Sequence, residues 1–308
     1  MTALPNKLGF NLSENKLQIV ELRFTGQEYL LHNIDEAFFD EPLHFESDKE
    51  TKILLALQSA FNEVVISKAI TTTEVSFSLP LHCFTFFQVP YDNTLLHNDL
   101  EDQFRWEFSV LFPYKNEADY QFQFYEIEKN LFVEEPKALV VTMRKKIIDL
   151  LFTFCERNNL LLTTVDCDHF AFDKSVQLIN QQQNQGFIGS IYLDDSLVSF
   201  ELLFEQKPIF MKVFPLKKKA DFVKEIKVIL EKEIPVDLTK YKIDKCYFGG
   251  DEITISFVSQ VEDQLQMPCY LVNPFMQLNA SENFQNEKYY REKAHSFAAA
   301  AGIAFRLE

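Results

Sequence analysis

The sequence predicts an α/β protein with two lobes, the first of which is interrupted by an inserted α/β subdomain. Each half of the chain opens with three successive segments rich in β-forming residues, and an amphipathic helical pattern follows them. Residues 81–159 have a strand and helix order of their own, with enough apolar residues to close a small core. With 308 residues, 47% of them hydrophobic, the chain can form more than one core.

Residues 1–80 are predicted to begin the first lobe with three strands and a helix. Turn-forming residues separate the strands, which are Leu8–Leu12, Lys16–Phe24 and Gln27–Phe39. Ser47 and Glu50 have the spacing of a capping box, which predicts that a helix opens there. The apolar stripe of this helix consists of Ile53, Leu54, Leu57, Phe61, Val64 and Val65. The alternating segment Glu74–Leu79 is predicted as the next strand and ends at Pro80.

The insert is predicted to span residues 81–159 as a separate α/β subdomain. Its elements are the strand Cys83–Val89, the helix Asn93–Phe112, the strands Tyr120–Glu128 and Ala138–Met143, and the helix Lys145–Arg157. Residues 160–183 then return to the first lobe, with a strand at Leu160–Val165 and a helix at Phe170–Gln182.

Residues 184–308 are predicted to form the second lobe, and the polar tract Asn180–Gln185 is predicted to link it to the first. The predicted strands of this lobe are Phe187–Leu193, Leu197–Phe204, Pro208–Phe214, Ile243–Phe248 and Cys269–Val272. Its predicted helices are Ala220–Lys232, Ile253–Leu265 and Glu287–Ala301. Because both halves begin with a three-stranded meander, the plan points to a duplicated, two-lobed actin-like fold.

Composition narrows the class of function. A net charge of −16 argues against nonspecific binding to nucleic acid or to an anionic membrane surface. No segment approaches the ~18 apolar residues that span a bilayer, and the N-terminal residues lack the apolar core of a signal peptide. We therefore expect a cytoplasmic protein that reaches the inner membrane only through a partner. The five cysteines are far apart and are expected to be buried reduced thiols.

Glycine is scarce, with seven residues where an average usage of ~7% would give roughly 22. Glycine allows a backbone to approach a phosphate closely, because it adopts positive φ in tight turns. Gly249-Gly250 is the one glycine pair, and it follows a predicted strand. The sequence therefore offers little material for loops that cradle phosphates.

Several segments in order along the chain carry a family resemblance. Residues 9–22 follow the pattern G-I-D-I-G-S-S-S-I-K-L-V-E-L without a gap. Further matches to motifs of the same family are Ser76–Pro80, Trp106-Glu107 with Phe112-Pro113, Thr164–Asp166, Asn273–Phe275 and Ala300–Arg306. On these segments the chain resembles the PilM-like proteins of type IV pilus assembly, which are related to the cell-division protein FtsA. The resemblance implies an actin-like fold, with ATP and Mg²⁺ as the family's cofactors.

The two turns that would hold phosphates depart from the family pattern. Asn11 and Ser13 replace the Asp and Gly of the first turn, and Tyr192 and Asp194 replace those of the second. A carboxylate at such a turn would repel a triphosphate. Gly249-Gly250, on the adenosine side, still matches the family pattern. The pair either retains some nucleotide binding or is only a strand-to-helix turn that needs glycine for its geometry.

No constellation typical of catalysis or of a metal site emerges. The sequence contains no nucleophile elbow, P-loop or dinucleotide-binding motif. Asp166-Cys167-Asp168-His169 contains metal-ligating residue types, but Asp166 and Asp168 would share one face of a strand while Cys167 points to the other. We interpret this segment as the exit of a strand, and we expect no catalytic and no metal-binding residues.

A partner-binding face is predicted on the Asn93–Phe112 helix. At ~100° per residue, one stripe faces the core. It consists of Leu96, Leu100, Phe104, Phe108 and Leu111. Trp106 lies away from this stripe, near Leu95 and Val110, with Asp99 and Asp102 beside it. Either these residues form a docking face, since Trp is enriched in binding hot spots, or the helix is buried on both sides between insert and lobe.

Three functions are consistent with this sequence. The favoured one is a cytoplasmic adaptor of a type IV pilus or a related secretion assembly, with nucleotide binding weakened or lost. In PilM-like proteins a groove between insert and main lobe receives the N-terminal tail of the membrane protein PilN, so the resemblance implies a PilN-like partner. The alternatives are a weak actin-like ATPase that binds ATP, and a free-standing actin-fold module that self-associates.

Overall fold

The computed structural model describes residues 6–92, 94–180, 186–194, 197–251, 253–276, 278–280 and 288–306. Within them the strands of the first lobe and insert are β1 Lys7–Leu12, β2 Lys16–Phe24, β3 Tyr29–Phe38, β4 Glu74–Leu79, β5 Phe84–Pro90, β6 Tyr120–Ile127, β7 Lys137–Arg144 and β8 Leu161–Cys167. The later strands are β9 Phe187–Asp194, β10 Leu197–Phe204, β11 Lys207–Pro215, β12 Ile243–Gly250, β13 Cys269–Leu271 and β14 Asn279–Ala280. The helices are α1 Glu50–Ser67, α2 His97–Leu111, α3 Lys145–Arg157, α4 Asp168–Ile179, α5 Phe222–Lys232, α6 Ile255–Leu265, α7 Lys288–Glu292 and α8 Ala298–Ala304.

The first lobe is built on a six-stranded sheet in the order β14-β3-β2-β1-β4-β8. The predicted meander β1–β3 is antiparallel, whereas β4 and β8 join it in parallel. On one face Phe10, Phe77 and Phe154 pack edge to face with α1 and α3. On the other face α8 lies so close to β1 that a Cβ on Gly9 would come 2.1 Å from the carbonyl oxygen of Ala300.

The start of α1 differs from the capping-box prediction. The helix begins at Glu50, after Lys49, which makes no side-chain cap. The backbone N–H of Ser47 instead donates to the carbonyl of His44, and the carboxylate of Asp48 accepts a hydrogen bond from the His44 N–H. A tight turn therefore uses the Ser47 N–H that a capping box would have used, and the N-cap lies two residues later, at Lys49.

The insert has a sheet of its own, in the order β5-β7-β6. α2 covers one face through Leu100, Phe104 and Phe108. Leu96 and Leu111, which the predicted stripe also contained, are exposed instead. The buried residues of α3 pack into the first lobe together with α1, so the packing favours an insert that ends near Arg144 and not at residue 159.

The second lobe contains a five-stranded sheet in the order β11-β10-β9-β12-β13. Its meander β9–β11 is antiparallel and its crossover strands β12 and β13 are parallel, which repeats the plan of the first lobe. The helix predicted over Glu287–Ala301 is divided into α7, a 3-10 turn at Ala294–Phe297 and α8. The predicted linker falls largely on residues 181–185, outside the described residues. Among the described residues, no helix combines the length and the apolarity needed to cross a membrane.

Candidate functional site

A cavity of about 250 Å³ lies between the two lobes, where the turns that would hold phosphates face each other. Charged side chains of both signs line it. They are Lys16, Asp168, Asp194, Lys217, Lys219 and Asp251. The structure thus brings together the residues that the sequence assigned to the two phosphate turns, together with acidic and basic neighbours.

The first turn makes its hydrogen bonds within the protein. The amide nitrogen of Asn11 donates to the Ser78 hydroxyl over 2.9 Å and to a carboxylate oxygen of Asp168 over 2.6 Å. The hydroxyl of Ser13 accepts hydrogen bonds from the backbone N–H groups of Asn15 and Lys16. The backbone donors thus close the β1–β2 hairpin, and the Asn11 amide binds β1 to β4 and α4, so these groups are used within the protein.

Lys16 is almost fully buried and joins the lobes. Its ammonium lies 2.8 Å from a carboxylate oxygen of Glu36 and 2.5 Å from one of Asp251 in the second lobe. Glu36 also pairs with Lys293 over 3.0 Å. Burial alone would raise the pKa of Glu36, but the hydrogen bonds from Lys16 and Lys293 lower it. Glu36 therefore stays ionised and its network of charges is satisfied internally.

The second turn also contacts the first lobe. A carboxylate oxygen of Asp194 accepts a hydrogen bond from the backbone N–H of Leu81 over 3.0 Å. The ring of Tyr192 packs against Phe172 of α4, with 5.6 Å between the ring centroids. These two substitutions from the family pattern thus bind β9 to the first lobe. Asp195 and Ser196 of the same turn lie outside the described residues.

Packing accounts for both residues of the Gly249-Gly250 pair. A Cβ on Gly249 would come 2.4 Å from the ring of Phe172. Gly250 has φ +130°, and a Cβ there would come 2.2 Å from the carbonyl oxygen of Leu193. The close approach of β12 to α4 and β9 therefore requires glycine at both positions, whether or not a nucleotide binds.

A larger groove, of about 540 Å³, separates the insert from the first lobe. One wall is the insert sheet, to which β5, β6 and β7 all contribute residues, and the other is β8, an edge strand of the six-stranded sheet among the described residues. The groove has an apolar lining formed by Phe84, Val141, Met143, Ile148, Leu162 and Val165. Polar side chains at its rim include Gln121, Gln123 and Thr163.

An ion pair closes one end of this groove. Arg306 pairs with Asp166 of β8 and donates a hydrogen bond to the hydroxyl of Tyr125 in β6 over 2.9 Å. Burial raises the pKa of Tyr125, so its hydroxyl stays protonated. Arg306 and Asp166 belong to two segments on which the family resemblance was noted, and the fold brings both to the groove.

The predicted docking face lies elsewhere. Trp106 is 62% exposed on α2 and is not part of the groove lining. Val110, Leu95, Asp99 and Asp102 are exposed as well. Because α2 covers the outer face of the insert sheet, it is not buried on both sides between insert and lobe. The structure keeps Trp106 available to a partner but separates it from the groove.

The Asp166–His169 segment does not assemble as one cluster. Asp166 faces Arg306, Asp168 faces Asn11, and Cys167 is buried. His169 is buried against Asp173 of the same helix and Glu201 of β10. Sequence reasoning missed this group because the helix was predicted to start at Phe170. Starting it at Asp168 would have placed His169 and Asp173 at positions i and i+4, on one helix face.

The charges of this buried group are coupled. Burial lowers the pKa of His169, but Asp173 and Glu201 raise it to about 10. Burial and the neighbouring Asp173 raise the pKa of Glu201 well above its ordinary value. Despite its burial, Asp173 has a lowered pKa because of His169. The group as a whole therefore retains protons that an exposed set of the same residues would release.

Comparison with known proteins gives a family and a fold. The family model described as type IV pilus assembly protein PilM matches residues 9–212. A solved structure of a PilM–PilN type IV pilus biogenesis complex matches with a TM-score of 0.76 at 16% identity, covering 97% of each chain. A Bacteroides thetaiotaomicron protein of unknown function with an actin-like ATPase fold matches with a TM-score of 0.57 at 8% identity, covering 99% of this chain and 97% of its own. No curated protein sequence matches significantly. The predicted actin-like fold is confirmed.

Proposed function

This chain belongs to the family of the type IV pilus assembly protein PilM, and from that premise we propose that it is an adaptor. In this proposal it captures the tail of a PilN-like inner-membrane protein from the cytoplasmic side and does not depend on ATP hydrolysis. The observation that carries the proposal is the groove between insert and first lobe, because the edge strand β8 forms one wall and apolar side chains of the insert sheet line the other. The solved relative that contains PilN supports the choice of partner.

The groove suits an extended peptide. The edge strand β8 presents backbone N–H and C=O groups, and a peptide strand that adds to such an edge gains main-chain hydrogen bonds. Opposite β8, Val141 and Met143 of β7 offer an apolar surface to alternate side chains of the peptide strand. The pair Arg306 and Asp166 supplies both charges at one end, where a terminal or charged group of the tail would bind.

The cavity between the lobes does not fit ATP with Mg²⁺. The amide of Asn11, the ammonium of Lys16 and the carboxylate of Asp194 all bind within the protein. Moreover, Asp194 and Asp251 line the space that phosphates would enter, where their like charge offsets the attraction of Lys217 and Lys219. These contacts support an adaptor whose nucleotide site has been replaced by ties between the lobes.

Trp106 provides a second proposed docking face, separate from the groove. An exposed indole beside Val110 and the acidic residues Asp99 and Asp102 would suit a partner with apolar and basic groups. The measurement that separates the two surfaces is binding of one peptide to variants of each.

The test uses a synthetic peptide with the cytoplasmic N-terminal sequence of a PilN-like single-span membrane protein from the same organism. We expect the wild-type chain to bind it, measured by fluorescence anisotropy or calorimetry. Gln123→Arg places a long charged side chain in the groove from an exposed position on β6. It should weaken binding about tenfold or more, equal to ~1.4 kcal/mol, with an unchanged melting temperature.

The matched control is Gln27→Arg, which makes the same change at an exposed position outside the groove and should bind like wild type. Trp106→Ala should bind the peptide like wild type if the groove alone holds the tail. A loss with Trp106→Ala and none with Gln123→Arg would transfer the site to α2 and overturn the groove. Absence of binding by the wild type would overturn the adaptor proposal for this partner.

A further inference from the structure

His169, Asp173 and Glu201 meet where the first lobe contacts the second. His169 and Asp173 lie one turn apart in α4, and Glu201 lies in β10, near the middle of the second-lobe meander. All three side chains are more than nine-tenths buried. Three ionisable groups in one buried place are costly unless they bind one another or a common ion.

Two of the distances among the donor atoms are close to those of ligands around one metal ion. Nε2 of His169 lies 3.3 Å from Oδ2 of Asp173 and 3.6 Å from Oε2 of Glu201, and one donor atom from each residue lies within 4.8 Å of the others. Tetrahedral Zn²⁺ with ligands at ~2.1 Å would hold its ligand atoms about 3.4 Å apart. The two distances from Nε2 of His169 are therefore close to that value, and the two carboxylates, no more than 4.8 Å apart, would have to move slightly toward each other around an ion.

The orientation of the side chains leaves the correct atoms facing inward. Nδ1 of His169 is hydrogen-bonded to the hydroxyl of Ser199, and Oδ1 of Asp173 accepts a hydrogen bond from the hydroxyl of Ser190. Nε2 of His169 and Oδ2 of Asp173 are buried and face each other as an ion pair, and neither makes a hydrogen bond of good geometry to the described residues. Outer hydrogen bonds that fix the ring and the carboxylate in this way are typical of metal ligands.

We propose that His169, Asp173 and Glu201 bind a divalent transition-metal ion, for which Zn²⁺ is the best match. One imidazole nitrogen with two carboxylates selects Zn²⁺ over Mg²⁺ and Ca²⁺, which prefer oxygen ligands alone. Two carboxylates neutralise the charge of the ion. A cavity of about 250 Å³ that Asp173 and Glu201 line gives the ion an entry path and leaves a position for a further ligand.

Such an ion would connect the lobes. Two ligands come from α4, which packs on the first-lobe sheet, and one from β10 of the second lobe. A ligand that binds the folded chain and not the unfolded one raises the free energy of unfolding. The metal is therefore expected to stabilise the arrangement of the two lobes, independently of peptide binding in the groove.

The experiment measures metal content and thermal stability of the full chain without an affinity tag. We expect about one equivalent of zinc by mass spectrometry, a lower melting temperature after dialysis against a chelator, and its recovery with Zn²⁺ but not with Mg²⁺ or Ca²⁺. Asp173→Asn keeps the shape and the acceptor for Ser190 but loses one charge, so it should lose the zinc and the response to zinc.

His295→Gln is the matched control, because His295 is a partly buried histidine outside the cluster and its replacement should leave the zinc response intact. If Asp173→Asn does not fold, Glu201→Gln provides the same test from the other lobe. A wild-type chain that contains no zinc and shows no change in melting temperature with Zn²⁺ would overturn the proposal. Full zinc binding by folded Asp173→Asn and Glu201→Gln would overturn it as well.

Discussion

Gly250 and Gly26 both adopt positive φ, of +130° and +96° respectively, but their surroundings differ. A Cβ on Gly250 would overlap the backbone of Leu193, whereas one on Gly26 would meet nothing within 4 Å. Gly26 is therefore required only for its backbone conformation. Gly250 is required for its conformation and also for the close contact between strands of the second-lobe sheet.

Replacing Gly250 by alanine should destabilise the protein far more than the same change at Gly26. At Gly26 only the backbone strain of a left-handed residue is added, ~1–2 kcal/mol, while at Gly250 an overlap with backbone is added to it. We expect a loss of about 3 kcal/mol or more for Gly250→Ala, measured as the free energy of unfolding in urea. Equal losses in the two variants would show that β12 and β9 separate easily at this point.

The sequence alone showed that the residues at the phosphate turns differ from the family pattern. It did not show which residues they contact. Asn11 and Asp194 could be recognised from the sequence as substitutions, since the family pattern has Asp and Gly there. Their partners Asp168 and Leu81 lie far away in sequence and are brought near by the fold. In the same way, the pairing of His169 and Asp173 follows from their spacing only once the helix is started at Asp168, and the contact with Glu201 follows from no local spacing.

At the scale of elements, α3 shows both the reach and the limit of sequence patterns. Its bounds, Lys145–Arg157, are those that its amphipathic stripe predicts. The stripe could not indicate which core it enters, because an apolar face fits any apolar surface of suitable shape. In the structure Phe154 packs edge to face against Phe61 and Phe77 of the first lobe.

Phe154→Ala and Phe152→Ala form a matched pair on this helix. Phe154 is fully buried, so Phe154→Ala should lower the free energy of unfolding by ~3–5 kcal/mol. Phe152 is 51% exposed and should cost less than about 1 kcal/mol. Both are measured by chemical denaturation followed by circular dichroism. Similar small losses in both variants would mean that α3 is not part of the first-lobe core.

For the whole molecule, the duplicated meander was predictable from local sequence patterns. The groove between insert and first lobe and the cavity between the lobes were not. Alternation and turn residues give the antiparallel order of β1–β3 and β9–β11, since neighbouring strands along the chain tend to pair. The groove depends on how the insert sheet stands beside β8, and the cavity between the lobes depends on their closure. Neither placement is encoded in a local pattern; the resemblance to PilM-like proteins was what indicated them.

The contacts that join the two lobes across the cavity oppose the binding of ATP. Lys16 and Asp251 bind the lobes to each other, and Asp194 binds the second lobe to Leu81. A triphosphate would have to break these contacts and approach carboxylates. At 4 Å and an effective dielectric constant of about 20, two like charges repel by ~4 kcal/mol.

We therefore expect no ATP turnover above background and no shift of the melting temperature with ATP and Mg²⁺, measured by phosphate release and differential scanning fluorimetry. Lys217→Glu is the control, since Lys217 is an exposed cation at the cavity and reversing its charge should leave the fold intact. Gly249 is unsuited to this purpose, because any side chain there would strike Phe172. Turnover or a thermal shift that wild type shows and Lys217→Glu loses would reveal a working site, and the ties between the lobes would then have to open when ATP binds.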